Sequence, residues 1–270
     1  MRAALITGAS RGIGRAIALA LAAAAKRDGQ PIRLAVAASR PQQALDTLVA
    51  ELSALGAAAT GLTADLSDAG ACERLAAEAQ AFCGDLTLLV SNAGAVGAAQ
   101  LADLPVETWD RTFALNCRAT WLLARTARGG LARQRGSIVA IASMSGVQPQ
   151  PCYGAYSPAK AALVMLCRQL AQEWAGDGIR VNALCPGMVR TPLTEAVYAD
   201  DALRAAREAL VPLGRIGTAE DVAQAVVYLQ DATYVTGQAL VIDGGVTDHM
   251  LALLPGRSGR PAAERPGALA

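Results

Sequence analysis

Short apolar runs alternate with helical patterns along most of this 270-residue chain, and the alternation limits the folds that it can adopt. The runs are residues 3–7, 32–39, 58–66, 86–94, 137–143, 180–187 and 239–245. Between most of them, apolar residues recur at helical spacing, as in Leu163, Leu166, Leu170 and Trp174. Such a pattern is typical of a parallel sheet with helices on both faces. We therefore predict an α/β fold built around one sheet.

The first run is followed by the glycine-rich segment TGASRGIG, residues 7–14. Gly8 permits a tight turn, Gly12 lets the backbone approach a phosphate, and Gly14 lets the following helix pack closely on its strand. The first turn of that helix presents free N–H groups to an anion. The plain alternative is a turn followed by a helix cap. The position of this glycine-rich segment after the first strand favours a single-domain, Rossmann-type, doubly wound sheet that binds a dinucleotide.

The composition limits the kinds of partner that this protein is expected to bind. Hydrophobic residues make up 53% of the chain, yet no apolar run approaches the roughly 20 residues that a membrane helix needs. The N-terminus MRAALITGAS leads directly into the first run, without a secretory signal. A net charge of +1 gives no reason to expect nucleic acid or an anionic membrane as a partner. We expect a cytoplasmic protein that acts on a small molecule.

The cysteines and the single histidine limit the kinds of chemistry that the site is expected to use. The six cysteines lack CxxC spacing and are predicted to be reduced core residues. The chain has one histidine, His249, close to a Gly/Pro-rich tail. A His-based catalytic triad or a His-ligated metal would need an imidazole nearer the predicted site. We therefore expect a site that uses other residues and no metal.

The end of the second run indicates which dinucleotide the site prefers. An acidic side chain there would bind the ribose 2′-hydroxyl of NAD, but none is present. Ser39 and Arg40 follow the run instead, and Arg11 lies in the glycine turn. Two guanidinium groups could converge on a 2′-phosphate, so we predict NADP(H). The alternative is that Arg40 only caps a loop.

The segment SMSGVQPQPCYGAYSPAK, residues 143–160, carries the candidate catalytic groups. If a helix begins near Ala155, Tyr156 and Lys160 lie one turn apart on the same face. A neighbouring ammonium favours the phenolate and lowers the pKa of the tyrosine. Ser143 ends the preceding run, where its hydroxyl could hold a substrate oxygen. The alternative for such a Tyr/Lys pair is a solvated helix face.

Taken together, these residues resemble the short-chain dehydrogenase/reductase family from the first strand to about Val246. The family pattern TGxxxGxG appears as TGASRGIG, NAG as residues 92–94, and PGxxxT as PGMVRT at 186–191. The family's Ser-Tyr-Lys set matches Ser143, Tyr156 and Lys160, and its helical asparagine matches Asn116. The resemblance implies an oxidoreductase that interconverts a carbonyl and a secondary alcohol.

The resemblance also implies a role for each matched residue. Tyr156 would be the general acid/base, Lys160 would lower its pKa and bind the nicotinamide ribose, and Ser143 would orient the substrate. Asn116 would hold a water molecule in a proton relay. The implied cofactor-binding residues are Gly8, Ser10, Arg11, Gly12, Ile13, Gly14, Ser39, Arg40, Asp65, Leu66, Asn92, Ala93, Gly94, Tyr156, Lys160, Pro186, Gly187, Val189 and Thr191.

The substrate is less well defined than the chemistry. Residues 147–155 are expected to wall the pocket, and residues 194–213 are expected to form a mobile cover over it. The predicted wall residues are Pro149, Pro151, Cys152 and Tyr153. The nearest whole-chain resemblance is to 3-oxoacyl-carrier-protein reductases, which dock an acidic carrier through basic residues. Asp177 would repel such a carrier, although Arg133 and Arg135 could serve.

Three alternatives for the function therefore remain. A general ketone/secondary-alcohol oxidoreductase is preferred over an acyl-carrier reductase, and a non-catalytic NADP(H)-sensing protein would keep the fold without the chemistry. We predict a catalytic domain at residues 1–246 and a flexible C-terminal extension at 247–270. The family resemblance implies a homo-oligomer, either a dimer or a homotetramer.

Overall fold

The computed structural model describes residues 1–249, which contain one seven-stranded sheet. The strands are Arg2–Thr7 (β1), Ile32–Ala38 (β2), Ala58–Thr63 (β3), Leu88–Ser91 (β4), Ser137–Ile141 (β5), Arg180–Pro186 (β6) and Ala239–Ile242 (β7). Their spatial order is β3-β2-β1-β4-β5-β6-β7, and every neighbouring pair is parallel. Each predicted apolar run contains one strand, so the predicted parallel sheet is confirmed.

Helices separate most of the strands. They are Gly12–Arg27 (α1), Gln43–Ala54 (α2), Ala69–Cys83 (α3), Val106–Phe113 (α4), Ala119–Gln134 (α5), Tyr156–Trp174 (α6), Glu195–Tyr198 (α7), Asp201–Glu208 (α8) and Ala219–Asp231 (α9). A π-helical segment, Ala114–Arg118, joins α4 to α5. The helical start predicted near Ala155 is confirmed, because α6 begins at Tyr156 and its third residue, Pro158, lies in the first turn, where no N–H is needed.

The sheet has a hydrophobic core on each face. Leu5 of β1 packs on one face with residues of α3, α5 and α6, among them Leu123. Ile6, the next residue, packs on the other face with residues of α1, α2 and α9, among them Ile17. Successive side chains of a strand point to opposite faces, so burial on both sides requires the nearly continuous apolar runs seen in the sequence. The predicted doubly wound arrangement is confirmed.

The connections on either side of β1 position the site. From β1 the chain crosses to β2 and β3 on one side, and then returns to β4 on the other. The loops after β1 and β4 therefore diverge and leave a crevice at the carboxyl edge of the sheet. Gly8 follows β1, Asn92 follows β4, and Ser143 comes two residues after β5. Parallel pairing thus brings residues that are distant in sequence to one edge.

Two predictions concern regions beyond this sheet. Among the residues described, no helix is both long and apolar enough to cross a membrane. The predicted C-terminal extension, residues 247–270, lies outside the described residues from position 250 onward.

Candidate active site

The glycine turn after β1 is held from the neighbouring strand. The Asn92 side-chain amide donates to the carbonyl oxygens of Thr7 at 2.9 Å and Gly8 at 3.1 Å. Gly8 has a φ of +63°, which favours glycine, and a Cβ on Gly14 would overlap the Gly8 carbonyl oxygen. The turn and the start of α1 therefore pack together at van der Waals contact, and both glycines are required for this.

A cavity of about 910 Å³ opens beside this turn at the carboxyl edge of the sheet. Most of the predicted site residues line it: Gly8, Ser10, Arg11, Gly12, Ile13, Ser39, Arg40, Asp65, Leu66, Asn92, Ala93, Gly94, Ser143, Tyr156, Lys160, Pro186, Gly187, Val189 and Thr191. Gly14 and Asn116 do not line it. Its volume is at the upper end of the range for ligand pockets, about 300–1,000 Å³, so it can hold a large ligand.

Arg11, which precedes α1, and Arg40, which follows β2, both line this cavity. Both side chains are exposed, and within residues 1–249 neither forms an ion pair with a carboxylate. Ser39 lies beside Arg40 after β2, where the strand ends without an acidic residue. Two free guanidinium groups and a hydroxyl group form a donor set that fits a phosphate monoester.

Asp65, which follows β3, is already engaged by other side chains. Its carboxylate accepts from the Ser67 hydroxyl group at 2.7 Å and from Arg111 at 3.2 Å. The Ser67 hydroxyl and backbone N–H, together with Arg111, hold the pKa of Asp65 below its usual value. Sequence reasoning missed Arg111, because α4 meets the β3 loop only after the chain has folded.

The serine, tyrosine and lysine converge on one wall of the cavity. The Lys160 Nζ lies 5.6 Å from the centre of the Tyr156 ring and donates to the Ile141 carbonyl oxygen at 2.8 Å. Ser143 follows β5, and its Oγ accepts from the backbone N–H of Ser145 at 3.1 Å. The strand end and the first turn of α6 therefore place a hydroxyl group, a phenol and an amine in one small volume.

Burial governs the ionisation of this group. Burial raises the pKa of Tyr156, and the hydroxyl of Ser143 partly opposes the rise. Burial also lowers the pKa of Lys160, from 10.5 to about 8. The prediction that Lys160 lowers the pKa of Tyr156 therefore does not hold in this structure. Both side chains are buried from solvent, and the hydrogen-bond partner of the ammonium is the Ile141 carbonyl oxygen rather than the phenol.

Asn116 lies behind the cavity wall in the π-helical segment. Its side-chain amide nitrogen donates to the carbonyl oxygens of Ala95 and Thr112, both at 3.0 Å. Its Oδ1 is buried and has no hydrogen-bond partner within the described chain. A Cβ built on Gly94 would lie 2.7 Å from this oxygen and 3.4 Å from the Lys160 Nζ. A free acceptor and an amine thus face each other across a glycine, in the space that a water molecule would need.

The backbone after β6 is fixed by a threonine that sequence reasoning missed. The Thr194 Oγ accepts from the Thr191 N–H at 3.0 Å and donates to the Val189 carbonyl oxygen at 2.8 Å. Val189 also forms a parallel bridge with Gly217. The spacing TPLT could have indicated this local side-chain to backbone bond. The predicted residues Val189 and Thr191 are therefore held in place at the cavity.

The wall on the substrate side differs in part from the prediction. Tyr153 lines the cavity as expected. The other three predicted wall residues do not line it: Pro149, Pro151 and Cys152. Cys152 has a φ of +63° and is exposed, so the loop turns outward at this point. Gln150 lines the cavity instead, and its Oε1 accepts from the Ser145 hydroxyl group at 2.6 Å.

The predicted cover forms α7, α8 and the loop after them. Tyr198, Arg207 and Leu210 of this segment line the cavity. Tyr198 is 1% exposed, and the guanidinium carbon of Arg207 lies 5.6 Å from its ring centre. A cationic side chain therefore reaches the substrate side of the cavity, which the sequence did not indicate. Mobility of this cover stays a prediction.

The basic residues proposed for docking an acidic carrier lie away from the cavity. Arg133 and Arg135 end α5 directly before β5, at the amino edge of the sheet and opposite the cavity. Arg133 pairs with Asp85 at 2.6 Å, and Asp177 pairs with Arg128 at 2.6 Å. The expectation that Arg133 and Arg135 could serve an acidic carrier at the cavity is therefore wrong within a single chain, because residues that precede a strand and residues that follow it lie at opposite edges of the sheet.

Comparisons with known proteins agree over most of the chain. A family model described as enoyl-(acyl carrier protein) reductase matches residues 8–247. The 2-(S)-hydroxypropyl-CoM dehydrogenase 3 of Xanthobacter autotrophicus is 39% identical over 249 residues, which cover 90% of this chain and 95% of the relative. A short-chain type dehydrogenase/reductase from Mycobacterium ulcerans has a similar structure, with a TM-score of 0.84, 30% identity and 94% of each chain covered. The Pseudomonas aeruginosa RhlG/NADP active-site complex gives a TM-score of 0.82 at 33% identity, covering 91% of this chain and 96% of that one.

Proposed function

The chain belongs to the short-chain dehydrogenase/reductase family, whose members act on alcohols and carbonyl compounds; on that premise, we propose an NADP(H)-dependent enzyme in which Tyr156 transfers the proton. The observation that carries the proposal is the convergence of Ser143, Tyr156 and Lys160 on one wall of the cavity that begins at the glycine turn. In this proposal the catalytic domain spans residues 1–246.

In the direction of reduction, Tyr156 donates its phenolic proton to the carbonyl oxygen as the alcohol forms. Burial keeps the phenol protonated at neutral pH, and the Ser143 hydroxyl, which lowers the pKa of Tyr156, opposes the loss of acidity that burial causes. Ser143 donates a hydrogen bond to the same oxygen and so fixes its position beside the phenol. Alcohol oxidation is the reverse, with the phenolate accepting the proton.

Lys160 and Asn116 return a proton to Tyr156 after each turnover. A lysine with a pKa of about 8 can lose and regain a proton near neutral pH. The unpartnered Oδ1 of Asn116 accepts from a water molecule near the Lys160 amine, which connects the amine to solvent. Both residues therefore act on the proton path rather than on the substrate carbon.

The cofactor assignment is supported by the donor groups at the β2 end. Arg11 and Arg40 would bind a 2′-phosphate, and the free N–H groups of the first turn of α1 would bind the pyrophosphate. Ser39 adds a hydroxyl donor at the same place. When bound, NADP(H) supplies or accepts the hydride, and the protein residues hold it beside Tyr156. The NADP-bound neighbour of known structure is consistent with this preference.

The proposal is tested by replacing the phenol. Tyr156→Phe should lower kcat by about 100- to 10,000-fold, the usual contribution of a general acid/base, because the ring stays while its proton is lost. Binding of NADPH, followed by fluorescence titration, should change by less than about threefold. Tyr234→Phe, at a fully exposed tyrosine, is the matched control and should leave both values unchanged. If kcat of the Tyr156 variant stays within about tenfold of the wild type, the assigned role is wrong.

A further inference from the structure

The charged residues that line the cavity are almost all cationic. Arg11 and Arg40 lie at the β2 end, and Lys160 lies at the centre. Among the described residues, Asp65 is the lone carboxylate on the lining, and it is bonded to Arg111. These four basic groups have either a structural partner or a place in the proposed cofactor and proton chemistry. One further cation on the lining has neither.

That cation is Arg207 on α8. It is half-buried and lines the cavity, and within residues 1–249 it has no hydrogen-bond or ion-pair partner. Its guanidinium carbon lies 5.6 Å from the centre of the buried Tyr198 ring, which restrains it on the cavity side. Arg204 on the same helix behaves differently, because it pairs with Asp201 at 2.8 Å. The cavity-facing arginine is thus unpaired while its neighbour is not.

Arg207 belongs to a different part of the fold from the arginines assigned to the cofactor phosphate. Arg40 follows β2, whereas α8 belongs to the segment that follows β6, four strands further across the sheet. In strand order, β2 and β6 are four strand spacings apart, about 19 Å at 4.8 Å per strand. Tyr156 begins the helix that follows β5 and lies between them. In strand order, the cover that carries Arg207 thus follows β6, on the other side of Tyr156 from the loop that carries Arg40.

Apolar side chains surround this part of the cavity. Val197, Leu210 and Val246 line it near Arg207. A neutral ketone would leave the half-buried guanidinium without a partner, whereas an anionic one would form a charge-assisted, bidentate pair with it. We propose that Arg207 binds a carboxylate or similar oxyanion on the substrate, separated from the reacting carbon by a short apolar spacer. This inference rests on the proposed function and names its substrate class.

The test compares matched ketones that differ in charge. Methyl ketones with a terminal carboxylate, two to five methylenes from the carbonyl, are assayed with NADPH beside their methyl esters. For the best spacer, wild-type enzyme should have a higher kcat/KM with the acid, and Arg207→Gln should lower the acid-to-ester ratio by about 10- to 100-fold. Arg207→Lys should keep part of the preference, because its charge remains. Arg204→Gln, on the same helix, should leave the ratio unchanged.

Two further measurements separate the possible failures. NADPH affinity should be the same in wild type and Arg207→Gln, and a loss in the variant would mean that Arg207 binds the cofactor, which overturns the proposal. Hexanoate, which cannot react, should bind the NADP⁺-loaded wild type and not the loaded Arg207→Gln protein in a calorimetric titration. Hexanoate binding without turnover of any ketone would sink the proposed function and keep the anion site. Equal kcat/KM for acids and esters, with no hexanoate binding, would refute the site itself.

Discussion

Replacing Lys160 with methionine should make the protein more stable while removing a residue of the proposed proton path. The Lys160 side chain is 3% exposed, and burial lowers its pKa from 10.5 to about 8. At roughly 1.4 kcal/mol per pKa unit, holding the ammonium in the folded protein at pH 7 costs about 3 kcal/mol. Methionine has a similar length and no charge, so it removes this cost.

The net gain is smaller, because the variant also loses the hydrogen bond from the amine to the Ile141 carbonyl oxygen. Losing that bond should cost about 1 kcal/mol, which leaves a gain of about 2 kcal/mol in the free energy of unfolding at pH 7. For a chain of this size, the gain corresponds to a rise in Tm of about 4–8 °C. Urea unfolding of the cofactor-free protein, at matched protein concentration, measures it.

The pH dependence is the more specific part of this prediction. The pKa in the folded protein lies below the pKa in the unfolded chain, so the unfolded chain binds more protons between about pH 8 and 10.5. Wild-type stability relative to the variant should therefore rise across this range, by roughly 2–3 kcal/mol between pH 7 and pH 10. Lys26→Met, at an exposed position near the end of α1, is the matched control and should show no such change. A Lys160→Met protein that is less stable at pH 7, or a stability difference that does not vary with pH, would refute the reasoning.

Two other substitutions test the cofactor end. Arg40→Ala should lower kcat/KM for NADPH by about 10- to 100-fold and leave the value for NADH nearly unchanged, since a charge-assisted bond to the 2′-phosphate is lost; a higher wild-type kcat/KM with NADH would contradict the NADP(H) assignment. Gly14→Ala should weaken NADPH binding at least tenfold in a fluorescence titration, because its Cβ would overlap the Gly8 carbonyl oxygen and push the turn apart, whereas Gly176→Ala, whose Cβ would meet no atom within 4 Å, should bind normally.

The parts of the site that depend on strand ends could be predicted from the sequence. A strand and the loop after it are local in the chain, so spacing made candidates of the glycine turn, Ser143 and the Tyr156/Lys160 pair, and the family resemblance then implied their roles. Parallel pairing then fixed where they meet, since all strand ends of one polarity share an edge. The same logic predicts NADP(H) rather than NAD from the absence of an acidic residue after β2, and the kinetics described above test that prediction.

The parts of the site that could not be predicted depend on packing between distant segments. Arg111 reaches Asp65 from 46 positions away, and no local pattern encodes that contact. The outward turn at Cys152 exchanges Gln150 for the predicted wall residues, and only the backbone conformation shows this. The ionisation of Tyr156 could not be read from its spacing to Lys160, because desolvation of both groups outweighs their proximity.

The carboxamide of Asn92 has a thermodynamic consequence for ligand binding. Its two bonds to the backbone of the β1 turn keep that loop in one conformation before any ligand arrives. Ordering a free loop on binding would cost about 1–2 kcal/mol for each residue fixed. The conformational entropy of this turn is therefore lost during folding rather than on ligand binding. Asn92, which bonds to the backbone of the turn, thus preserves binding energy for an anion.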